Sequence, residues 1–530
     1  MNRRDFLGSS TLGALATTHA TAATTHFDLA EATITDLANR MQSRRDTAVS
    51  LVRKYNARID SVDKLLNAVI ERNPDAMHIA ADLDAERKTK GPRGPLHGIP
   101  VLIKDNIDTA DRMSTTAGSL ALEGSIALRD AFVVERLRAA GAVILGKTNL
   151  SEWANYRSSH SVSGWSGRGG QTHNPYALDR NPCGSSSGSG AGVAANLCAV
   201  AIGTETDGSV VCPAAMNGVV GIKPTLGLLS RSGIIPISHS QDTAGPMART
   251  VRDAAILLSA LTGADPRDAA TRDSEGHVEK GYTTFLDANG LKGARLGIAR
   301  KFMGNNSEVD RLMEDAIALM KQHGAEMIDP ADVPSADHEM GEAEGIVLSY
   351  EFKADLNAYL GGLGPTARVK TLADVIAFNQ QNHDREMPWF GQETFLKAQA
   401  RGPLSDQAYL DALAKSKKLS REQGIDAVVG QHRLDAIIAP TAGPSWVIDW
   451  VNGDFDTGGC STPAAVAGYP HITVPAGYVY GLPIGLSFFG PAWTEPKLLA
   501  LAYAFEQASK LRREPKLLPT VQFTSPHPRT

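Results

Sequence analysis

Cysteine is scarce: Cys183, Cys198, Cys212 and Cys460 are the only four in a chain of 530 residues. Four cysteines build no disulfide framework, and their spacing contains no CxxC pair of the kind that holds a structural zinc. They are left as inert core residues or one isolated bridge. Basic runs are missing as well. Lys and Arg number 53 against 58 Asp and Glu, a net charge of -5, and no block of five or more cations is present to neutralise a phosphate backbone. Nucleic acid is therefore not expected as a partner. No apolar run reaches the ~18 residues that a membrane helix needs. Low-complexity tracts and internal repeats of roughly 20 to 50 residues are also absent. What is there, 42% hydrophobic and 21% charged residues, suits a globular chain with a sizeable core.

The opening Asn2-Arg3-Arg4-Asp5-Phe6-Leu7-Gly8 is followed by a short, mildly apolar run from Ser9 to Ala16 and then Ala20-Thr21-Ala22. A charged start, a stretch too short to span a bilayer and a small-x-small site read as an export signal over residues 1–22. The paired arginines before Phe6-Leu7 resemble a twin-arginine signal, which carries proteins out already folded. The expectation is a periplasmic or secreted protein with no membrane association once the signal is removed.

Beyond it, helix and strand patterns alternate. Leu51, Val52, Tyr55, Ile59, Val62 and Leu65 recur at helical spacing within a helical stretch from Phe27 to about Lys88. The run Gly98 to Ile103 reads as a buried strand ending at Lys104-Asp105-Asn106, 131–140 as a helix broken by Gly141, and 142–145 as the next strand. The same grammar recurs at 188–202, 251–261, 295–299, 309–323 and near Met327. Residues 340–430 read as mostly helical, strands return at 436–439, 471–474 and 484–489, and a helix at 498–511 closes the chain. This alternation predicts a single large α/β domain over residues 27–525, a central mixed sheet covered by helices on both faces, with a helical elaboration at about 340–430.

The chemistry concentrates in two hydroxyl-rich, glycine-flanked loops, Arg180 to Gly190 and Gly203 to Ala214. A linker pair would not hold an apolar helix and strand between its halves. A phosphate cradle needs a lysine at a fixed offset or a preceding strand, and Gly184 to Gly190 has neither. Gly184-Ser185-Ser186-Ser187-Gly188 fits GxSxG around Ser186, but the strand that a nucleophile elbow requires is replaced by polar, proline-broken loop. None of the 14 histidines stands in a motif that would mark it as a general base.

Gly98-Ile99-Pro100-Val101-Leu102-Ile103-Lys104-Asp105-Asn106, Gly184-Ser185-Ser186-Ser187-Gly188-Ser189, Asp207-Gly208-Ser209 followed by Pro213-Ala214, and Gly221-Ile222-Lys223-Pro224-Thr225 together resemble the amidase signature family. The likeness runs from about residue 30 to 510. It implies a Ser-Ser-Lys triad that works without cofactor or metal, with Ser209 as nucleophile, Ser185 as bridging serine after a cis peptide bond, and Lys104 as base. It further implies an oxyanion hole on the backbone amides of Thr206, Asp207, Gly208 and Ser209, with Ser187 and Thr204 supporting the triad by hydrogen bonds.

Elementary chemistry agrees with that assignment. A serine hydroxyl needs an adjacent base, and a lysine serves only when neutral, so its pKa of ~10.4 must fall by burial. Lys104 ends an apolar run, where desolvation acts. Ser185 can accept a proton from Ser209 while giving its own to Lys104. Many family members have two glycines before the bridging serine, GGS at the nucleophile and an arginine three residues beyond it; here stand Cys183-Gly184, Asp207-Gly208-Ser209 and Cys212. Loss of that guanidinium weakens the case for an anionic substrate, and Cys212 is expected as a packed small hydrophobe. The two loops look closest to bacterial peptide amidases, which release ammonia from C-terminally amidated peptides. The alternatives are a broad aliphatic or aryl amidase, an amidotransferase A-type glutaminase subunit, or a non-enzymatic binder on the same scaffold. The expected partner is a small-molecule or peptide amide.

Overall fold

Val101–Ile103 and Val143–Leu145 hold no polar side chain, and they become neighbouring parallel strands in a computed structural model that describes residues 27–522 except 337, 365, 366 and 456. The export signal read at 1–22 lies outside the described residues. In chain order the strands are β1 (Val69–Arg72), β2 (Pro100–Lys104), β3 (Val143–Thr148), β4 (Trp165–Ser166), β5 (Gly170–Gln171), β6 (Val200–Glu205), β7 (Val220–Lys223), β8 (Thr243–Ala248), β9 (Arg295–Ile298), β10 (Glu326–Ile328), β11 (Ala436–Pro440), β12 (His471–Val479) and β13 (Leu482–Phe489). β4 and β5 form a small ribbon, and the other 11 make one sheet in the order β1-β3-β2-β6-β8-β7-β12-β13-β11-β9-β10.

The sheet is mixed. β2 runs parallel to β3 and β6, and β9 parallel to β10 and β11, whereas the centre from β6 through β13 is antiparallel. Every residue of β2, β3, β6, β8, β11 and β13 is buried. Successive side chains point to opposite faces of a strand, so burial at both parities means that both faces are covered. Helices Ala48–Leu66 and Ser187–Ala194 pack on β2, Val251–Leu261 on β8 and Glu495–Ser509 on β12.

Helix Ser187–Ala194, with the sequence SGSGAGVA, has poor intrinsic propensity, yet every residue of it is buried. Close packing explains its composition: a Cβ at Gly188 would lie 2.2 Å from the carbonyl oxygen of Ala68. At Gly188 the helix therefore approaches its neighbours more closely than a larger residue would allow.

The helical stretch 340–430 appears as helices His338–Gly362, Leu372–Gln381, Glu393–Gln399, Gln407–Lys417 and Asp426–His432, with shorter turns between them. It builds an apolar cluster around Phe352, Leu356, Leu360 and Phe395, which also takes in Trp153. Three strands of the main sheet depart from the sequence expectation, besides the unforeseen β4–β5 ribbon. β1 is an edge strand inside the stretch read as helical. β7 lies largely within the Gly221-to-Thr225 motif, which carries no strand pattern of its own. β8, Thr-Ala-Gly-Pro-Met-Ala, has almost no β-branched residue and carries Pro246 in the middle of a sheet. Its pairing with β7 stops at Met247, so Pro246 faces a strand partner on the β6 side only, where it lies opposite Ile202.

Candidate active site

β2 and β6 are parallel neighbours with Ile103 opposite Ile202, so their carboxyl ends bring Lys104 and Thr204 side by side. The chain leaves β6 through Thr206-Asp207-Gly208-Ser209-Val210 and enters the short helix Val211–Met216, while Ser185 and Ser186 lead into helix Ser187–Ala194. Three segments thus converge at strand ends, the usual place for a site in an α/β sheet.

Lys104 Nζ lies 2.7 Å from Ser185 Oγ, 3.0 Å from Ser186 Oγ, 2.9 Å from Thr204 Oγ1 and 3.2 Å from the Thr204 carbonyl oxygen. It forms no salt bridge among the described residues; the neighbouring Asp105 turns instead to Thr116 and Arg168. Burial without a contacting carboxylate lowers the Lys104 pKa to about 7, against the weaker opposing pull of Glu205 and Asp242. The amine is therefore substantially neutral near pH 7. Lys104 and Ser185 have no exposure, whereas Ser209 keeps 8%, so Ser209 is the one of the three that an outside molecule can reach.

The Gly184–Ser185 peptide is cis, as the resemblance implied. Ser209 Oγ makes no hydrogen bond among the described residues, and its backbone carbonyl accepts from Ser186 N at 3.1 Å. No hydrogen bond joins Ser209 Oγ to Ser185 Oγ. The amides of Asp207, Gly208 and Ser209 likewise donate to no acceptor among the described residues, while the next two, of Val210 and Val211, are held by Glu205 Oε2 at 2.7 and 3.0 Å. The three free amides, with the Thr206 amide that also has no acceptor among the described residues, lie beside a reachable hydroxyl and form an anion-binding nest. Gly208 sits at φ +75°, in the left-handed region, and a Cβ there would come within 3.0 Å of Ser461 Oγ.

The walls of this loop were not evident from the sequence. Thr206 Oγ1 donates to Asp242 at 2.6 Å, and the Thr206 carbonyl accepts from Gln241 Nε2, which also donates to Glu344 at 2.8 Å. Burial and the nearby Asp207 push Glu344 up to about 8. Asp207 Oδ2 accepts from Thr462 Oγ1 at 2.7 Å, and its Oδ1 is buried with no partner among the described residues. Asn106 Nδ2 donates to Thr204 Oγ1 at 3.0 Å.

The Ser187 hydroxyl donates to the Cys183 carbonyl at 2.6 Å, closing the turn around Ser185, and Ser186 lies beside the amine. One expectation needs correction. Cys212 is no isolated hydrophobe but is disulfide-bonded to Cys183, because the two loops bring the Cα atoms to 6.1 Å. For a metal, one group among the described residues has suitable atoms, His239, Glu351 and Asp355. These are engaged with one another and with Ser240 and Tyr409.

Similarity to known proteins is extensive. The Amidase family model matches residues 50–499. An Arabidopsis thaliana protein named as a probable amidase is 46% identical over 500 residues, 93% of each chain. A putative amidase of Schizosaccharomyces pombe is 40% identical over 514 residues, covering 92% of this chain and 87% of its own. Among solved structures, the native peptide amidase from Stenotrophomonas maltophilia superposes with a TM-score of 0.88 at 50% identity, over 93% of this chain and 99% of its own. A peptide amidase in complex with the competitive inhibitor chymostatin gives 0.89 at 51%, over 92% and 99%.

Proposed function

Since the chain belongs to the amidase family and is an amidohydrolase, we propose that it releases ammonia from the C-terminal carboxamide of peptides through an acyl-enzyme on Ser209. The observation that carries this reading is the juxtaposition of a fully buried amine, its pKa lowered to about 7, 2.7 Å from Ser185 with three free amides beside Ser209. Likeness to peptide amidases along nearly the whole chain supports the choice of substrate.

Each step balances. Ser185 gives its proton to neutral Lys104 Nζ and takes the proton of Ser209, whose Oγ attacks the carboxamide carbon. The carbonyl π pair moves to oxygen, and the resulting oxyanion is held by the amides of Asp207, Gly208 and Ser209, an interaction worth ~3 to 4 kcal/mol for a single such donor. When the tetrahedral adduct collapses, the C–N bond breaks and the proton on Lys104 passes back through Ser185 to the nitrogen, which leaves as ammonia. Water then repeats the sequence on the ester and frees the acid. Thr204 and Ser186 hold the amine in place, and Thr206 carries the loop.

We place this activity outside the cytoplasm. The reading rests on the opening Arg3-Arg4 sequence and on the Cys183–Cys212 disulfide, since such bridges persist in oxidising compartments.

Ammonia release from an amidated dipeptide, measured beside a simple aliphatic amide, tests the proposal. The dipeptide amide is expected to have the larger kcat/KM, and Ser209→Ala to lower turnover at least ~1000-fold. Faster cleavage of the aliphatic amide would replace the peptide reading by a broad one, and near-normal turnover by Ser209→Ala would end the nucleophile assignment.

A further inference from the structure

We infer that the Cys183–Cys212 disulfide is a positioning element for the two serines, so that full turnover requires its oxidised form. The inference rests on the reading of Ser185 and Ser209 as a catalytic pair and adds a covalent tie to it.

Cys183 lies two residues before Ser185, and Cys212 three residues after Ser209. The bridge thus joins the very segments whose hydroxyls must meet, and it does so within a few residues of each. Ser209 Oγ makes no hydrogen bond of its own among the described residues, so its place relative to Ser185 is set by the frame that carries it. Beyond the hydrogen bonds of Ser186 Oγ with the Thr204 carbonyl at 3.1 Å and the Thr204 amide at 3.2 Å, that frame has three cross-ties between the same two segments. Ser186 N donates to the Ser209 carbonyl at 3.1 Å. Asn217 Nδ2 donates to the carbonyls of Pro182 at 2.9 Å and Pro213 at 2.7 Å. The disulfide is the third, packed against Met216, Ala442 and Trp446. Proton transfer between hydroxyls tolerates little error, and a displacement of about 1 Å costs up to ~100-fold. With the bridge opened, only hydrogen bonds tie the two loops.

The bridge is also the one redox-responsive pair among the described residues. Cys198 and Cys460 are fully buried and unpaired, with burial pushing each thiol up to about 12, so neither offers a thiolate. Cys212 is only half-buried, which leaves a path for a small dithiol. In that reaction the dithiol is oxidised to its cyclic disulfide while the bridge takes up two electrons and two protons, giving two thiols.

The test has two arms, both read as kcat and KM on an amidated dipeptide. Folded wild-type enzyme is incubated with excess dithiothreitol at low temperature, and the opened thiols are counted by alkylation and mass. The expected result is a kcat at least ~10-fold lower with KM unchanged within ~3-fold, restored on reoxidation, while near-ultraviolet circular dichroism keeps its native form. The double variant Cys183→Ser/Cys212→Ser is expected to show the same fall in kcat and to be indifferent to dithiol. Cys198→Ser, by contrast, should follow the wild type in both states. A double variant whose kcat stays within ~2-fold of wild type overturns the inference, and so does one that loses only thermal stability, because the bridge would then be a staple and not a positioner. Should the double variant not fold, the dithiol arm decides alone: two alkylated thiols with kcat intact is the overturning outcome. Loss of the nucleophile assignment itself would appear separately, as turnover retained by Ser209→Ala.

Discussion

Lys104 and Lys223 end strands of the same sheet, both without exposure, and they have been put to opposite uses. Around Lys104 the nearest groups are three hydroxyls and a carbonyl, none of which carries charge. Around Lys223 the surroundings are acidic: Glu205, Glu495 and Asp207 all favour its charged form, and its pKa falls only to about 8. The difference is one of counter-charge rather than of depth. Burial alone makes an amine a base; burial among carboxylates makes it their counter-ion. Glu205 uses that compensation to hold the amides of Val210 and Val211, directly after Ser209, and Glu495 to hold that of Thr225. On the proposed mechanism Lys104 does chemistry, whereas Lys223 lies in the field of the carboxylates that fix the loop carrying Ser209.

The comparison breaks most visibly at Lys104 itself. Lys104→Ala is expected to lower kcat/KM at least ~100-fold, and retention of near-normal turnover would remove it as base. Lys104→Met should also stabilise the fold relative to a wild type that keeps a buried amine. The sign follows from linkage. The folded pKa, about 7, lies below the unfolded 10.5, so between those values the unfolded chain binds more protons and wild-type stability rises with pH. The advantage of the Met variant, on the order of 4 kcal/mol before the lost hydrogen bonds are counted, is therefore fully present below about pH 7 and shrinks toward about pH 10.5. Urea unfolding at several pH values checks it, and an advantage that grows with pH would contradict the argument.

Next in size is Lys223→Met. Here the same linkage gives a smaller gain, on the order of 3 kcal/mol near pH 7, because Glu205, Glu495 and Asp207 offset part of the burial cost and the Lys223 pKa falls only to about 8. Activity should fall less than ~10-fold, since no step uses the amine. A Lys223 variant as inactive as Lys104→Ala at equal folded fraction would erase the distinction between the two lysines.

Sequence made the lysine-serine pairing legible because its parts lie in short motifs with their own punctuation. Lys104 closes an apolar strand, Ser185 follows a glycine, and Ser209 follows Asp207-Gly208. The sheet was readable wherever β-branched runs alternate with helices, and it failed at β8, where glycine, alanine and Pro246 leave no strand signature. Which serine of Ser185-Ser186-Ser187 faces the amine depends on the turn's backbone, so the place of Ser186 beside Lys104 was not legible. The disulfide, and the chain from Thr206 through Gln241 to Glu344, needed knowledge of which loops become neighbours. No local pattern records that residue 344 of a distant helix meets residue 241.

The smallest effect sharpens the comparison from within the Lys104 cluster. Thr204 Oγ1 accepts from both Lys104 Nζ and Asn106 Nδ2, and an acceptor favours the protonated amine. Thr204→Val removes that acceptor at nearly constant shape while the Thr204 carbonyl contact at 3.2 Å survives. In the wild type, kcat/KM should rise about tenfold per pH unit below about 7 and level off above it, as the amine loses its proton. In the valine variant the midpoint should move down by a few tenths of a unit, because the neutral form is now favoured. The plateau should drop ~3- to 10-fold, because the amine is held less firmly against Ser185. A Lys223 variant should leave the midpoint nearer its original place, since its charge is felt only across the sheet. A plateau loss with no shift in Thr204→Val would mean that the threonine holds the amine without tuning it, and an upward shift would mean that burial does not govern the proton on Lys104.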